Sequence, residues 1–227
     1  MPRKITIFGE RCSGTNYLQD VVTANFNVEV TWDYGWKHFF GFLDNHLENA
    51  GDTLFLLIVR DPVAWMNSLF RNPHHLNYEC TESVYHFLNT EIYSLPEDWC
   101  CQGYYGRRYK TLGEDRNMYT GKRYKNIFEM RHTKLKFLIE DMPKKVRNSI
   151  FIRYEDLIND FENTMNKIRE KGLIVKDEST FPVNSRKYKG EFGTVFNPSE
   201  NDDIIPRNSI LENPNFIEEY EKKLGYV

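Results

Sequence analysis

Thr53-Leu54-Phe55-Leu56-Leu57-Ile58-Val59-Arg60-Asp61-Pro62 is the stretch on which the fold turns. From Leu54 to Val59 every residue is apolar and nothing alternates, so neither face is offered to water. A short run of this kind, closed by turn residues, reads as a strand buried on both faces, as in a parallel sheet covered by helices. Arg60 and Asp61 end the run. Pro62 then suits the first turn of a helix predicted to reach about Phe70, where a missing N–H costs nothing. Outward from this strand, residues 4–8 (Lys-Ile-Thr-Ile-Phe) are β-branched and aromatic and predict another strand. A loop from Gly9 to Thr15 and a helix from Asn16 to about Asn25 follow, with Leu18, Val21 and Val22 on one face. Short strands are expected at 28–32 and 149–153. Helices are expected at 125–141, 160–171 and about 214–224, and residues 177–213 read as loop-rich. Strands alternating with helices predict the α/β class: a three-layer, P-loop-like fold with a central, mainly parallel sheet flanked by helices. One domain is expected over residues 1–227, with an irregular aromatic and basic insertion at about 71–124.

The chain has 227 residues, enough to bury a core without disulfide or metal staples. Lys plus Arg number 30 against 33 Asp plus Glu, a net charge of −3, which argues against a nucleic-acid coat and against an acidic tail. Aromatic residues make up 15%, which argues against disorder. Cys12, Cys80, Cys100 and Cys101 form no C-x-x-C pair, and reduced thiols in a cytoplasmic protein are expected. No apolar run approaches the ~20 residues of a membrane span, and Glu10 and Arg11 interrupt the N-terminal one before it resembles a signal peptide. No membrane partner is expected.

Strand, then Gly9-Glu10-Arg11-Cys12-Ser13-Gly14-Thr15-Asn16, then helix, is the layout of an anion-binding loop. Glycines permit tight backbone turns, and the N–H groups opening the helix converge on negative charge. A Walker loop places Lys and Ser/Thr after its second glycine, to hold the terminal phosphates and Mg²⁺. Thr15 and Asn16 stand there instead, which disfavours an ordinary ATPase or kinase. Cys12 lies near a helix start, but a phosphatase would need an arginine six residues on, where the chain has Leu18. Arg60 lies at a strand's carboxyl end, where α/β sheets take ligands. Ser68 follows eight residues later on the next helix. Together they are expected to grip a phosphate by a charge-assisted bond and a hydroxyl donor.

In combination these motifs resemble the sulfotransferase superfamily that uses 3′-phosphoadenosine 5′-phosphosulfate. In that family a Lys-Ser-Gly-Thr-Thr-type loop binds the 5′-phosphosulfate, and Cys12-Ser13-Gly14-Thr15-Asn16 stands in its register. An arginine followed by a serine at the same step binds the 3′-phosphate, the place of Arg60 and Ser68. Phe151-Ile152-Arg153-Tyr154-Glu155-Asp156-Leu157 is similar to the family's Tyr-Glu-Asp-Leu segment, which puts Tyr154 near the adenine. Lys189-Gly190-Glu191-Phe192-Gly193 is similar to its late glycine loop over the 3′-phosphate, with Arg186, Lys187 and Lys189 as cations. The resemblance spans about residues 5–193. Cys12 departs from the pattern, occupying the slot of a cation on the leaving phosphate, for which Arg11 or Lys37 is the expected substitute.

The resemblance implies in-line sulfuryl transfer to a hydroxyl or amine, with 3′,5′-adenosine bisphosphate as product and no metal required. The acceptor is expected to be a small molecule or a glycan. Trp36-Lys37-His38-Phe39 resembles the family's Lys-x-His strand, with His38 the expected base, Lys37 the stabiliser of the leaving group and Asp33, His74 and His75 in reserve. Residues 103–137 carry ten Lys or Arg against three acids, interleaved with tyrosines, and read as a lid, an acceptor surface or a solvated basic helix. Arg131 and Lys134, on one helix face, are the expected anion contacts there. Two other readings compete: a nucleotide-dependent phosphotransferase of kinase type, and a non-catalytic nucleotide-binding protein on the same scaffold.

Overall fold

The computed structural model describes residues 1–38, 47, 49–94, 115–188, 191–194 and 203–227, with 186–188 and 191–194 described by their backbone alone. The chain divides into two compact units. One comprises Met1–Lys37, Leu43–Arg60 and Leu138–Asp202, the other His38–Phe42, Asp61–Phe137 and Asp203–Val227.

The first unit is an α/β layer built on four parallel strands, β1 (Lys4–Phe8), β2 (Glu29–Val30), β3 (Thr53–Val59) and β4 (Ser149–Arg153), in the order β2-β1-β3-β4. Register pairs Ile5 with Leu54, Ile7 with Leu56 and Ile58 with Ile152. Because side chains alternate along a strand, these residues share one face, and all are buried. Helix α1 (Thr15–Asn25) lays Leu18, Val21 and Val22 on that core, and the helix Phe161–Glu170 adds Met165 and Ile168. The other face carries Phe8, Phe55 and Leu57, also buried, with Tyr34 packed on Phe55. All seven residues of β3 are buried, as its unbroken apolar run requires. The backbone of Arg186–Tyr188 (β5) pairs antiparallel with that of Glu191–Thr194 (β6).

The second unit is helical. Its first helix, α2 (Pro62–Arg71), is capped by the Asp61 carboxylate, which accepts from the N–H groups of Val63 (3.0 Å) and Ala64 (2.9 Å). Asn67, fully buried on α2, exchanges two hydrogen bonds with the backbone of Ile205. The helix Ile127–Lys136 carries Arg131, whose guanidinium meets both carboxylate oxygens of Glu221 on the helix Glu219–Lys223.

Several boundaries differ from expectation. The strand expected at 28–32 shortens to Glu29–Val30. The helix expected at 160–171 is found at Phe161–Glu170, and a further helix, Tyr154–Asn159, precedes it, the two separated by Asp160, whose φ of −136° and ψ of 53° are not helical. Helices Tyr78–Thr81 and Val84–Asn89 occupy part of the stretch read as irregular. The loop-rich stretch contains the β5–β6 pair and a helix at Arg207–Leu211. The last helix starts only at Glu219, after a turn in which the Asn213 side chain accepts from the N–H of Asn215. Among the described residues, no helix is long and apolar enough to cross a membrane.

Candidate functional site

Parallel strands bring their carboxyl ends to one edge of the sheet. The loop after β1, the turn after β2, Arg60 after β3 and Tyr154 after β4 therefore share that edge, where α/β folds take ligands.

The loop after β1 is tightly wound. Gly9 donates its N–H to the Lys37 carbonyl (3.0 Å). A Cβ on Gly9 would come within 2.6 Å of the Ile58 carbonyl oxygen, so only glycine fits. Ser13 turns its hydroxyl and its N–H onto the Glu10 carbonyl. Cys12 takes a φ of +62°, a left-handed conformation uncommon outside glycine. Gly14 is left-handed as well, with φ +90°, and it opens α1 with no side chain capping the helix. The N–H groups of the first turn lack helical partners by geometry, and here they gather at the head of an uncapped helix. Thr15 is buried there, and Asn16 is exposed beside it.

Three side chains converge on this loop. Arg60 donates from Nη1 to the Cys12 carbonyl (3.1 Å), and its guanidinium lies 4.6 Å from the Tyr154 ring centre. Tyr154 packs against the backbone of Gly14. Lys37, 8% exposed, donates from Nζ to Oδ1 of Asn16. Burial pulls the Lys37 ammonium down to about 8, a fall that the Asp20 carboxylate partly opposes. Tyr17, one turn into α1, is pushed up to about 12, chiefly by burial and also by Tyr154, and it donates to Asn184 (2.6 Å).

Arg11 takes a different position. It is 2% exposed, and its Nε donates to the Glu10 carboxylate (2.8 Å), which also accepts from the Arg11 backbone N–H. Of the two expected substitutes for the cation missing at Cys12, Lys37 is therefore the one reaching the head of α1. The adjacent glutamate was a signal of this local pairing.

Other expected residues lie elsewhere. Ser68 is half-buried on α2 in the second unit. His38, the first residue of that unit, is buried, and its carbonyl accepts from Lys134 Nζ (3.0 Å). Arg131 and Lys134 are not exposed anion contacts. Arg131 is 7% exposed and bound to Glu221, and Lys134 is 3% exposed and bound to Asp115 (2.7 Å). A long cation can be buried when a carboxylate is buried with it. Arg186 and Lys187 lie on β5, described by backbone alone. Lys189, Gly190, Phe39, Cys100, Cys101 and the basic run's residues 103–114 lie outside the described residues. Among the described residues, no group of three or more His, Cys, Asp or Glu is placed to hold a metal ion.

Sequence reading missed Trp32. It stacks on Trp36 with ring centres 5.8 Å apart, and Lys37 Nζ lies 5.9 Å from each ring. The signal was two tryptophans flanking Gly35, whose φ of +104° turns the chain back on itself.

In comparisons with known proteins, no family model, curated protein or solved structure matches the chain.

Proposed function

We propose that the protein is a sulfotransferase that takes a sulfuryl group from 3′-phosphoadenosine 5′-phosphosulfate and passes it to a hydroxyl or amine of a small-molecule or glycan acceptor. A P-loop-like, three-layer architecture is part of the same proposal. One observation carries it: an uncapped helix head at Gly14 is flanked by two cations, Lys37 on Asn16 and Arg60 on Tyr154. The donor fits these residues. Glycines at 9 and 14 let the loop wind tightly against Ile58 and Tyr154, the first-turn N–H groups suit an anion, and resemblance puts Tyr154 near the adenine.

Bound there, the donor supplies a sulfuryl group whose S–O bond to the 5′-phosphate breaks as the acceptor oxygen or nitrogen bonds to sulfur, leaving 3′,5′-adenosine bisphosphate. The chain's own part is electrostatic and positional. The first-turn N–H groups and Lys37 offset charge gathering on the leaving phosphate. Arg60, whose guanidinium lies 4.6 Å from the Tyr154 ring centre, is the cation for the 3′-phosphate, with Ser68 its partner by sequence resemblance. The acceptor's proton goes to a base, and resemblance assigns that role to His38.

A second reading has an observation in its favour. Cys12 fills the usual cation slot, and Arg11 is committed to Glu10, so the same scaffold serves a protein that binds nucleotide without turning it over. Titration calorimetry with 3′,5′-adenosine bisphosphate, against ADP and ATP·Mg²⁺, tests the shared core. Micromolar binding of the bisphosphate, weak for ADP and lost in Arg60→Ala, is the expected result. A preference for ATP·Mg²⁺, or no nucleotide binding, overturns both readings. His38→Ala then separates them: in the enzyme it abolishes transfer and leaves nucleotide binding intact.

A further inference from the structure

The turn after β2 presents an aromatic platform that the anion loop does not use. Trp32 and Trp36 are 43% and 40% exposed. Leaving two indoles in water forgoes about 2 kcal/mol of burial for each, yet the turn holds them firmly in place. Gly35 donates its N–H to the Trp32 carbonyl (3.1 Å), and Tyr34 between the tryptophans is buried on Phe55. The Lys37 carbonyl is pinned by Gly9 and its ammonium by Asn16. The two rings stack on each other at 27°, so a ligand meets the outer face of the stack.

The position of that surface bears on its use. Lys37 Nζ lies 5.9 Å from both ring centres and also contacts the head of α1. The platform is thus one side chain away from the candidate transfer point. Asp33, exposed in the same turn, adds a carboxylate. An indole face carries negative charge density and attracts weakly positive C–H groups, and a carboxylate accepts hydrogen bonds from hydroxyls. A pyranose offers both at once, a flat C–H face and a rim of hydroxyls. A planar aromatic acceptor has no use for Asp33, and because Asp33 and Lys37 leave the turn with no net charge, it lacks the positive excess that a polyanionic glycan needs.

We infer that Trp32, Trp36 and Asp33 form the acceptor subsite, and that the acceptor is a neutral, hydroxyl-bearing glycan. This rests on the sulfotransferase reading for its role as acceptor, but not for its ability to bind sugar. The transfer is the one described above, with a sugar oxygen forming the new O–S bond and its proton leaving to the base.

The test is titration of the full chain, followed by tryptophan fluorescence and calorimetry, with neutral tetrasaccharides of glucose, galactose and N-acetylglucosamine. p-Nitrophenol and a heparin hexasaccharide serve as comparison probes. Saturable binding of at least one neutral tetrasaccharide, on the order of millimolar, is expected, with about tenfold loss in Trp32→Ala or Trp36→Ala. Trp36→Phe retains most of the binding, and Asp33→Asn weakens it. The exposed rings make misfolding a small concern, and unchanged binding of 3′,5′-adenosine bisphosphate in each variant certifies an intact fold. Absence of tetrasaccharide binding, binding indifferent to both tryptophans, or preference for p-nitrophenol or heparin overturns the inference. Sugar binding that persists in a chain without affinity for the bisphosphate upholds the sugar subsite and overturns the sulfotransferase reading alone.

Discussion

The ring of Tyr154 lies against the backbone of Gly14 so closely that a Cβ there would fall 2.4 Å from Cδ2. Gly14 also holds a φ of +90°, so an alanine suffers twice, from backbone strain and from overlap. Gly14→Ala is expected to cost about 3 kcal/mol, combining a left-handed penalty of about 1–2 with an overpacking penalty of about 1–3. Urea unfolding measures it. Adding Tyr154→Ala to that variant should recover the overlap share and leave the strain. Full additivity of the two losses would show that the ring does not press on Gly14.

Arg60 is held by the Cys12 carbonyl and the face of Tyr154. Arg60→Ala should weaken 3′,5′-adenosine bisphosphate by about a hundredfold, the scale of a charge-assisted pair. Arg60→Lys keeps the charge without the planar fork and should fall between the two. Equal affinities for all three proteins would remove Arg60 from the nucleotide site.

Lys37 sets a pH dependence. Only the protonated ammonium attracts an anion, and in the free protein it titrates near 8. Affinity for the bisphosphate should therefore hold below that pH and fall above it, by at most about tenfold per unit. Lys37→Arg should flatten the profile, because guanidinium stays charged. Stability moves the other way. The folded-state value lies below the ordinary lysine value of 10.5, so between the two the unfolded chain binds more protons and stability rises with pH. The gain over Lys37→Met is at most about 3 kcal/mol. Urea unfolding of both proteins at about pH 7 and about pH 10 reads it.

The Arg131–Glu221 pair closes the second unit around two side chains 7% and 1% exposed, with the Trp65 ring 5.0 Å beneath the guanidinium. Glu221→Ala strands a buried cation and should cost about 3–5 kcal/mol. Arg131→Met with Glu221→Leu should cost far less, since neither charge remains to be desolvated. Thermal unfolding of the single and double variants decides between a buried pair and a solvated one.

Strands were read well where burial leaves a one-dimensional trace. The runs at 4–8, 53–59 and 149–153 coincide with β1, β3 and β4. The glycine loop between β1 and α1 was legible for the same local reason. Partnership across the chain was not. Arg131 looked like a surface cation because its carboxylate lies 90 residues away, and Lys134 likewise because Asp115 is 19 away. The helix Tyr154–Asn159 was hidden by the strand before it, although Glu155 and Asp156, acids in its first turn, favour a helix start. The stacking of Trp32 on Trp36 depends on the backbone sign at Gly35, which composition does not reveal.

The sheet order has a consequence for how the chain is made. β3 lies between β1 and β4, but β4 is synthesised only after the helices between Pro62 and Lys136. Until Arg153 has left the ribosome, one flank of a proline-free strand, apolar from Leu54 to Val59, has no strand to pair with. Such a segment invites pairing with a neighbouring nascent chain. Expression yield is therefore sensitive to anything that delays residues 149–153, and a chain cut before them should aggregate rather than fold in part.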